Sequence, residues 1–252
     1  TPNFLTVASF DVTDAGSEIS KEVIMGSGET VYASRESLYV AASRYDYPVA
    51  ATFDFFAPVN VAQKTRIIRF NLNNGAVKFA TSGEVAGRLL NQFSMDENGE
   101  AFRVATTVDS SWNNLLILDR NDLTKRLGAV ENIAPGEQIY SVRFLGARAY
   151  MVTFQRIDPF FVIDVGDPSN PRILGELKIP GYSDYLHPYD ENHIIGFGKD
   201  AISASELRSE NFEPRPGFNF AWYQGMKVAL FDVTDVSNPK VMFQEIIGDR
   251  GT

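Results

Sequence analysis

Apolar and polar positions alternate along most of this chain, and the alternation is broken again and again by short clusters of Asp, Asn, Gly and Pro. Ile139-Tyr140-Ser141-Val142-Arg143-Phe144 and Ala149-Tyr150-Met151-Val152-Thr153-Phe154 show the pattern best, flanking Leu145-Gly146-Ala147-Arg148. Period-two alternation rich in β-branched and aromatic residues predicts two half-buried antiparallel strands joined by a tight turn. Helical periodicity is absent, apart from a single turn expected at Ala204 to Leu207.

The strands fall into a repeat. Five apolar runs each carry Asp or Asn after an aromatic or aliphatic residue: Phe10-Asp11, Phe70-Asn71, Leu118-Asp119, Ile163-Asp164 and Phe231-Asp232. Turns follow, clearest in Gly166-Asp167-Pro168-Ser169-Asn170-Pro171 and Thr234-Asp235-Val236-Ser237-Asn238-Pro239, where short polar side chains and fixed proline angles favour reversal. A second strand comes next, as in Arg172 to Leu177 and Lys240 to Ile246, and four of the five copies continue into a third strand, a turn and a fourth strand. From marker to the later turn the distance is 25 to 28 residues, whereas from that turn to the next marker it runs from 17 to 41. Insertions are therefore confined to one connection of the unit. The fold expected is all-β, a β-propeller of four-stranded antiparallel blades, since neither a sandwich nor a single barrel explains the repeating distance. The units approximate to 5-42, 66-107, 115-154, 160-198 and 226-247, with long loop insertions at 43-65 and 199-225, in a single propeller domain or part of one.

Composition narrows the function classes. The 252 residues are 44% hydrophobic and 22% charged, enough for a sizeable core, and 23 basic against 32 acidic side chains give a formal charge of -9. Such a surface repels phosphate backbones, so nucleic acid is not an expected partner. No apolar run approaches the roughly 18 residues of a spanning helix, and Thr1-Pro2-Asn3 does not open a signal peptide; a soluble piece with any export signal removed is expected. With no cysteine, disulfides, thiolate metal sites and cysteine nucleophiles are excluded, and two histidines leave almost nothing for a zinc site. The glycine connections Gly26-Ser27-Gly28 and Pro135-Gly136 lack the Gly-Lys-Ser/Thr ending of a phosphate loop, and no cofactor is expected.

Phe161-Val162-Ile163-Asp164-Val165-Gly166-Asp167-Pro168-Ser169-Asn170-Pro171 resembles an LVIVD repeat. Leu90 to Asp96, Ile139 to Phe144, Gly175 to Gly181, Tyr185 to His193 and Ile247 to Thr252 resemble the secreted microbial β-propeller domain family distantly related to WD repeats, from about Leu5 to the last residue. The resemblance implies a secreted or cell-surface location and a strand order in which the third strand of the unit is the innermost, a, the fourth is b, and the marked strand and its successor are c and d. It also implies that b–c connections lie on the face that usually carries ligand. Counted so, the chain holds four complete blades and an N-terminal c–d half-blade. An unpaired sheet edge calls for a partner. Either the chain is a fragment of a larger propeller, or a partner strand pair completes the half-blade.

Candidate site residues are few, and each competes with a structural role. Asp96 and Asp190 sit in acidic hairpin segments that suggest calcium, but the same residues suit turn geometry and no EF-hand spacing surrounds them, so no metal is expected. His187 and His193 are the only imidazoles; His187 falls at the register of Arg143 one unit earlier, with Asp184 and Tyr189 nearby, and the alternative is a strand-end histidine bonded to backbone. The insertions are dense in aromatics: Tyr45, Tyr47, Phe53, Phe55 and Phe56 in the first, Phe212, Phe218, Phe220, Trp222 and Tyr223 with Arg208 and Arg215 in the second. Flat rings in loops suit glycan or peptide recognition, or else they pack the insertion onto the body of the domain. The leading reading is a non-catalytic extracytoplasmic scaffold that binds a protein, peptide or glycan through loops on one face. A hydrolase or lyase using Asp184, His187 or Arg143 at a channel mouth is one alternative, and a purely structural cell-surface module is the other.

Overall fold

A computed structural model describes residues 3–14, 16–46, 62–73, 75–109, 111–154, 158–203 and 221–249. Among these the chain is all-β: eighteen strands and one 3-10 turn, Gln92–Ser94, with no α-helix. No helix there is long and apolar enough to cross a membrane. The first sheet has two strands, β1 (Phe4–Ser9) and β2 (Ser20–Met25). Four four-stranded sheets follow. They comprise β3 (Thr30–Ala33), β4 (Ser37–Asp46), β5 (Ala62–Asn73) and β6 (Ala76–Ala86), then β7 (Met95–Asn98), β8 (Ala101–Val108), β9 (Trp112–Asp119) and β10 (Asp122–Ile133). The last two are β11 (Gln138–Leu145), β12 (Arg148–Phe154), β13 (Asp158–Asp164) and β14 (Arg172–Ile179), and β15 (Tyr182–Pro188), β16 (His193–Ser203), β17 (Ala221–Asp232) and β18 (Lys240–Ile247). Each sheet takes its strands in chain order, so a, b, c and d lie side by side.

The repeated Asp closes the c–d hairpin. Asp11, Asp119, Asp164 and Asp232 each accept a hydrogen bond on Oδ1 from the backbone N–H two residues on, at 2.8 to 3.0 Å. Asp167 and Asp235 do the same for Ser169 and Ser237 one step further into the turn. A short carboxylate thus supplies the acceptor that the reversing backbone lacks. Just before the marker the register slips at Arg69/Phe70, Val162/Ile163 and Leu230/Phe231, a bulge that bends three c–d pairs at one place.

The chain forms two compact units, Thr1–Asp109 with Leu115–Gly128, and Ser110–Asn114 with Ala129–Thr252. In the first, Leu5, Val7 and Ile24 on the inner face of β1 and β2 pack on Val40, Ile68, Phe70 and Val77. The outer face leaves Phe4, Val23 and Met25 exposed. In the second, Tyr150, Phe160, Val162, Leu186, Ile194 and Phe231 fill the space between the last two sheets, with Phe160 stacked on Phe231 at 4.6 Å. Neighbouring sheets approach closely at glycines of strand d. A Cβ on Gly83 would lie 2.3 Å from the Leu123 carbonyl oxygen, and one on Gly175 would lie 2.2 Å from that of Val236.

Candidate functional site

Within the second unit β11 and β15, the first strands of their sheets, bring three polar side chains together. In β15, Tyr185 and His187 are two residues apart, so the pleat sets them on one face. Arg143 of β11 reaches across, its Nε donating to the Leu186 carbonyl at 3.0 Å and its Nη2 to the Tyr185 hydroxyl at 2.8 Å. Its guanidinium carbon lies 5.2 Å from the centre of the Tyr185 ring. The same hydroxyl is 3.2 Å from His187 Nδ1. Arg143 and His187 are therefore joined through Tyr185, which sequence reasoning passed over. Its signal was the two-residue spacing from His187. Asp184 stays outside this chain of bonds. It is the extra residue of a bulge between Ser183 and Tyr185, and burial pushes its carboxyl up against the opposing effect of Lys199. A cation, a phenol and an exposed imidazole without an orienting carboxylate suit recognition of an anionic or aromatic group. The pattern is not that of a base held by a third group for proton transfer.

At the long b–c connections the strand pairs run past the last strand of their sheets. At β4–β5 they do so only by Tyr45–Asp46 and Ala62–Gln63, since β6 pairs with β5 up to Lys64, and at β16–β17 further, since β18 pairs with β17 only from Met226 on. The β4–β5 pairing runs out to Asp46 and Ala62, and the β16–β17 pairing to Ser203 and Ala221. At the first, Lys64 pairs with Asp46 across β4 and β5, and Arg44 reaches Glu84 of the adjacent β6, both at 2.7 Å. Tyr45 stands at its end, 52% exposed, with its hydroxyl accepting from Gln63 Nε2 at 3.0 Å. Trp222 and Tyr223 lie in β17 opposite Ile202 and Ala201, and their side chains are outside the described residues. Also outside are Tyr47, Phe53, Phe55, Phe56, Arg208, Phe212, Arg215, Phe218 and Phe220, together with Ala204 to Leu207.

The two acidic residues weighed as metal ligands have protein partners. Asp96 lies within β7, with the turn itself at Gly99 and Glu100, and accepts from Arg103 through Nε at 2.9 Å and through Nη2. Burial pushes its carboxyl up despite that guanidinium. Asp190 accepts from the Asn192 backbone N–H and contacts His193 Nδ1, each at 2.8 Å, and these bonds hold its carboxyl down. Among the described residues no group of three His, Cys, Asp or Glu side chains converges as a metal site.

A family model described as "Beta propeller domain" matches residues 1–252. The chain belongs to the β-propeller domain family. It is 43% identical over 182 residues to an uncharacterized protein of Methanocaldococcus jannaschii, covering 70% of this chain and 25% of that protein. An uncharacterized protein of Archaeoglobus fulgidus is 39% identical over 178 residues, covering 71% and 24%. The propeller chain thus spans about a quarter of the length of the curated relatives it matches. Among solved structures it is similar to a europium-containing methanol dehydrogenase, with TM-score 0.49, 8% identity and coverage of 85% of this chain and 41% of that one. A periplasmic gluconolactonase of Pseudomonas aeruginosa gives TM-score 0.46, 10% identity, and coverage of 98% and 83%.

The first unit of the propeller holds a buried polar centre that sequence reasoning also missed. Glu97, with a side chain 6% exposed, accepts from the Tyr39 hydroxyl at 2.5 Å and the Ser34 hydroxyl at 2.7 Å. Arg120 Nη1 lies 3.4 Å from the same carboxylate and Arg69 Nε 3.9 Å. Burial pushes the Glu97 carboxyl up, but the bonds from Tyr39, Ser37 and Ser34 and the Arg120 charge together hold it below its ordinary value. Tyr39 lies in β4 and Glu97 in β7, so this carboxylate ties one blade to the next. Glu97 sits in an acidic hairpin segment like that of Asp190, which hid its role.

Proposed function

We propose that this propeller is a non-catalytic extracytoplasmic scaffold that binds a protein, peptide or glycan partner through the insertions at 43-65 and 199-225. The observation that carries the reading is a pair of extended strand pairings. The β4–β5 pairing, by Tyr45–Asp46 and Ala62–Gln63, and the β16–β17 pairing, out to Ser203 and Ala221, both run past the last strand of their sheets at the same kind of connection, and the aromatic-rich stretches of sequence join their ends. A strand pair braced by ion pairs presents such a segment with less ordering cost than a free loop. The address outside the cytoplasm rests on the resemblance of Leu90 to Asp96, Ile139 to Phe144, Gly175 to Gly181, Tyr185 to His193 and Ile247 to Thr252 to secreted microbial β-propeller domains. β1 and β2 serve in this reading as the c–d pair of a blade completed by further strands, which the exposed Phe4, Val23 and Met25 favour.

Glycan and peptide arrays probed with the intact protein, and with variants in which 47–61 or 204–220 is replaced by a short Gly-Ser linker, test the proposal. Binding by the intact protein that falls at least tenfold in one folded variant supports it. Unchanged binding in both, or no binding by the intact protein, overturns it. A hydrolase or lyase is favoured by one observation only, the Arg143–Tyr185–His187 array, and predicts turnover that His187→Ala abolishes.

A further inference from the structure

The last sheet repeats, on its far side, the positions by which two earlier sheets hold their successors. Leu72, Val165 and Val233, each just past a marker residue, donate their backbone N–H to the Glu36, Ala147 and Asn192 carbonyls, which makes those three places equivalent. Three residues on stand Tyr39, Tyr150 and Ile195, paired across the hairpin with Tyr32, Arg143 and His187. Tyr32 and Arg143 both reach the backbone of the next sheet's first strand. The Tyr32 hydroxyl accepts from the Glu97 N–H of β7 at 3.0 Å, and Arg143 Nε donates to the Leu186 carbonyl of β15 at 3.0 Å. The second sheet is the exception, for Asp96 at this place accepts from Arg103 of its own hairpin. His187 holds the same place in the last sheet. Its Nδ1 meets the Tyr185 hydroxyl, and among the described residues its Nε2 has no hydrogen-bond partner.

The face of the last sheet that carries His187 matches a buried face one sheet earlier. Ile195 and Phe197 correspond to Tyr150 and Val152; Val228 and Leu230, four and two residues before the marker Asp232, correspond to Phe160 and Val162 before Asp164. In the β11–β14 sheet all four are buried against the β15–β18 sheet. In the last sheet the same face is open: Phe197, Met226, Phe243 and Ile247 are exposed, Phe243 by 57%. A contiguous apolar surface of that kind marks an interaction site. In each unit the cover of a sheet is the sheet that follows it in sequence, Tyr39 stacking on Phe102 in the first and Phe160 on Phe231 in the second. The stretch shared with the curated relatives is about a quarter of their length, which leaves those polypeptides room for further units.

We propose that this face seats a further four-stranded sheet of the same repeat, carried by the same polypeptide, and that His187 Nε2 bonds the backbone of that sheet's first strand as Tyr32 and Arg143 bond theirs. The joint differs from the preceding one at strand d. Phe243, paired with Leu230, holds the place of Gly175, which is paired with Val162 and lies against the Val236 carbonyl of the next sheet. A ring there keeps the incoming turn further out and fills the space between. The surface involves neither the insertions nor β1 and β2, so it stands or falls independently of ligand binding by those loops.

Hydroxyl-radical footprinting of the native protein, read by peptide mass spectrometry beside residues 1–252 alone, tests this. Phe197, Met226 and Phe243 are expected to react at least tenfold more slowly in the native protein, while Tyr189, 68% exposed in the turn between β15 and β16, reacts equally in both. His187→Ala is expected to raise the three rates roughly two- to tenfold in the native protein, the range for losing one hydrogen bond, and to change nothing in residues 1–252. Met226 as reactive as Tyr189 within the native protein overturns the proposal, whatever the shorter chain does. So does a native polypeptide of this length that runs as a monomer in light scattering. Protection that arises only in a dimer of that length overturns it too, because the cover is then a second copy. Protection that His187→Ala leaves intact overturns the assignment of His187.

Discussion

Glu97 shows how one side chain holds two blades. Its carboxylate is almost out of water and collects a phenol, a hydroxyl and two guanidinium groups. Truncating one partner of such a cluster leaves the others charged and unmatched, so Glu97→Ala is expected to cost about 3–5 kcal/mol in urea denaturation at pH 7. Tyr39→Phe removes a single bond to a charged acceptor and is expected to cost about 1.5–3 kcal/mol. The sign of the pH dependence follows from the lowered carboxyl. A folded pKa below the ordinary 4.5 means that the stabilisation is complete above that value and is lost as pH falls through the folded one. Asp96, Glu137 and Asp184 act the other way, because burial raises them and acid relieves that penalty. Stability curves from pH 7 to 3 are therefore expected to fall less steeply below pH 4.5 for Glu97→Gln than for the parent protein. None of this was legible beforehand, since an acidic residue two places from a turn glycine looks like turn chemistry. Only the distance to a tyrosine 58 residues away reveals the other role.

The hairpins were legible because alternation and turn chemistry are local. Ile139 to Phe144 and Ala149 to Phe154 were marked as strands, and the structure has β11 and β12 over Gln138–Leu145 and Arg148–Phe154. The bulges were not, because a slip of one residue depends on which neighbour the pair must bend towards. The pleat alone sets Tyr185 and His187 on one face and Asp184 off it; the slip adds that Asp184 has no partner across the β15–β16 pair. Packing between blades is equally invisible in sequence, where Gly83 and Gly175 sit in strands without a turn to explain them. The backbone of the next blade explains them. Gly83→Ala and Gly175→Ala are each expected to destabilise by about 1–3 kcal/mol, because the contact is a carbonyl that cannot rotate away as a side chain does. Equilibrium unfolding curves measure this, with the exposed turn position Gly16→Ala as a control of much smaller effect.

For the molecule as a whole, the period of the repeat pointed to the propeller fold, and the family model spans the full chain. The half-blade leaves a testable trace. Amides of β1 that face β2 are expected to resist hydrogen exchange while alternate ones, on the open edge, exchange fast; in β5 the amides from Lys64 to Asn73, flanked by β4 and β6, all resist. Uniform protection along Phe4–Ser9 would show that the edge is already covered. Strands adjacent in each sheet are also adjacent in the chain, so most pairings close over a few residues. The longest closures join Asp46 to Ala62 and Ser203 to Ala221. Closing such a span costs about 1–2 kcal/mol more than closing a two-residue turn, by the logarithmic growth of closure entropy. Stopped-flow refolding is accordingly expected to accelerate by up to about tenfold when 47–61 or 204–220 is cut to a tight turn. The two insertions then act as the clock of the folding reaction, and any lengthening of them through evolution is paid in time spent with open strand edges.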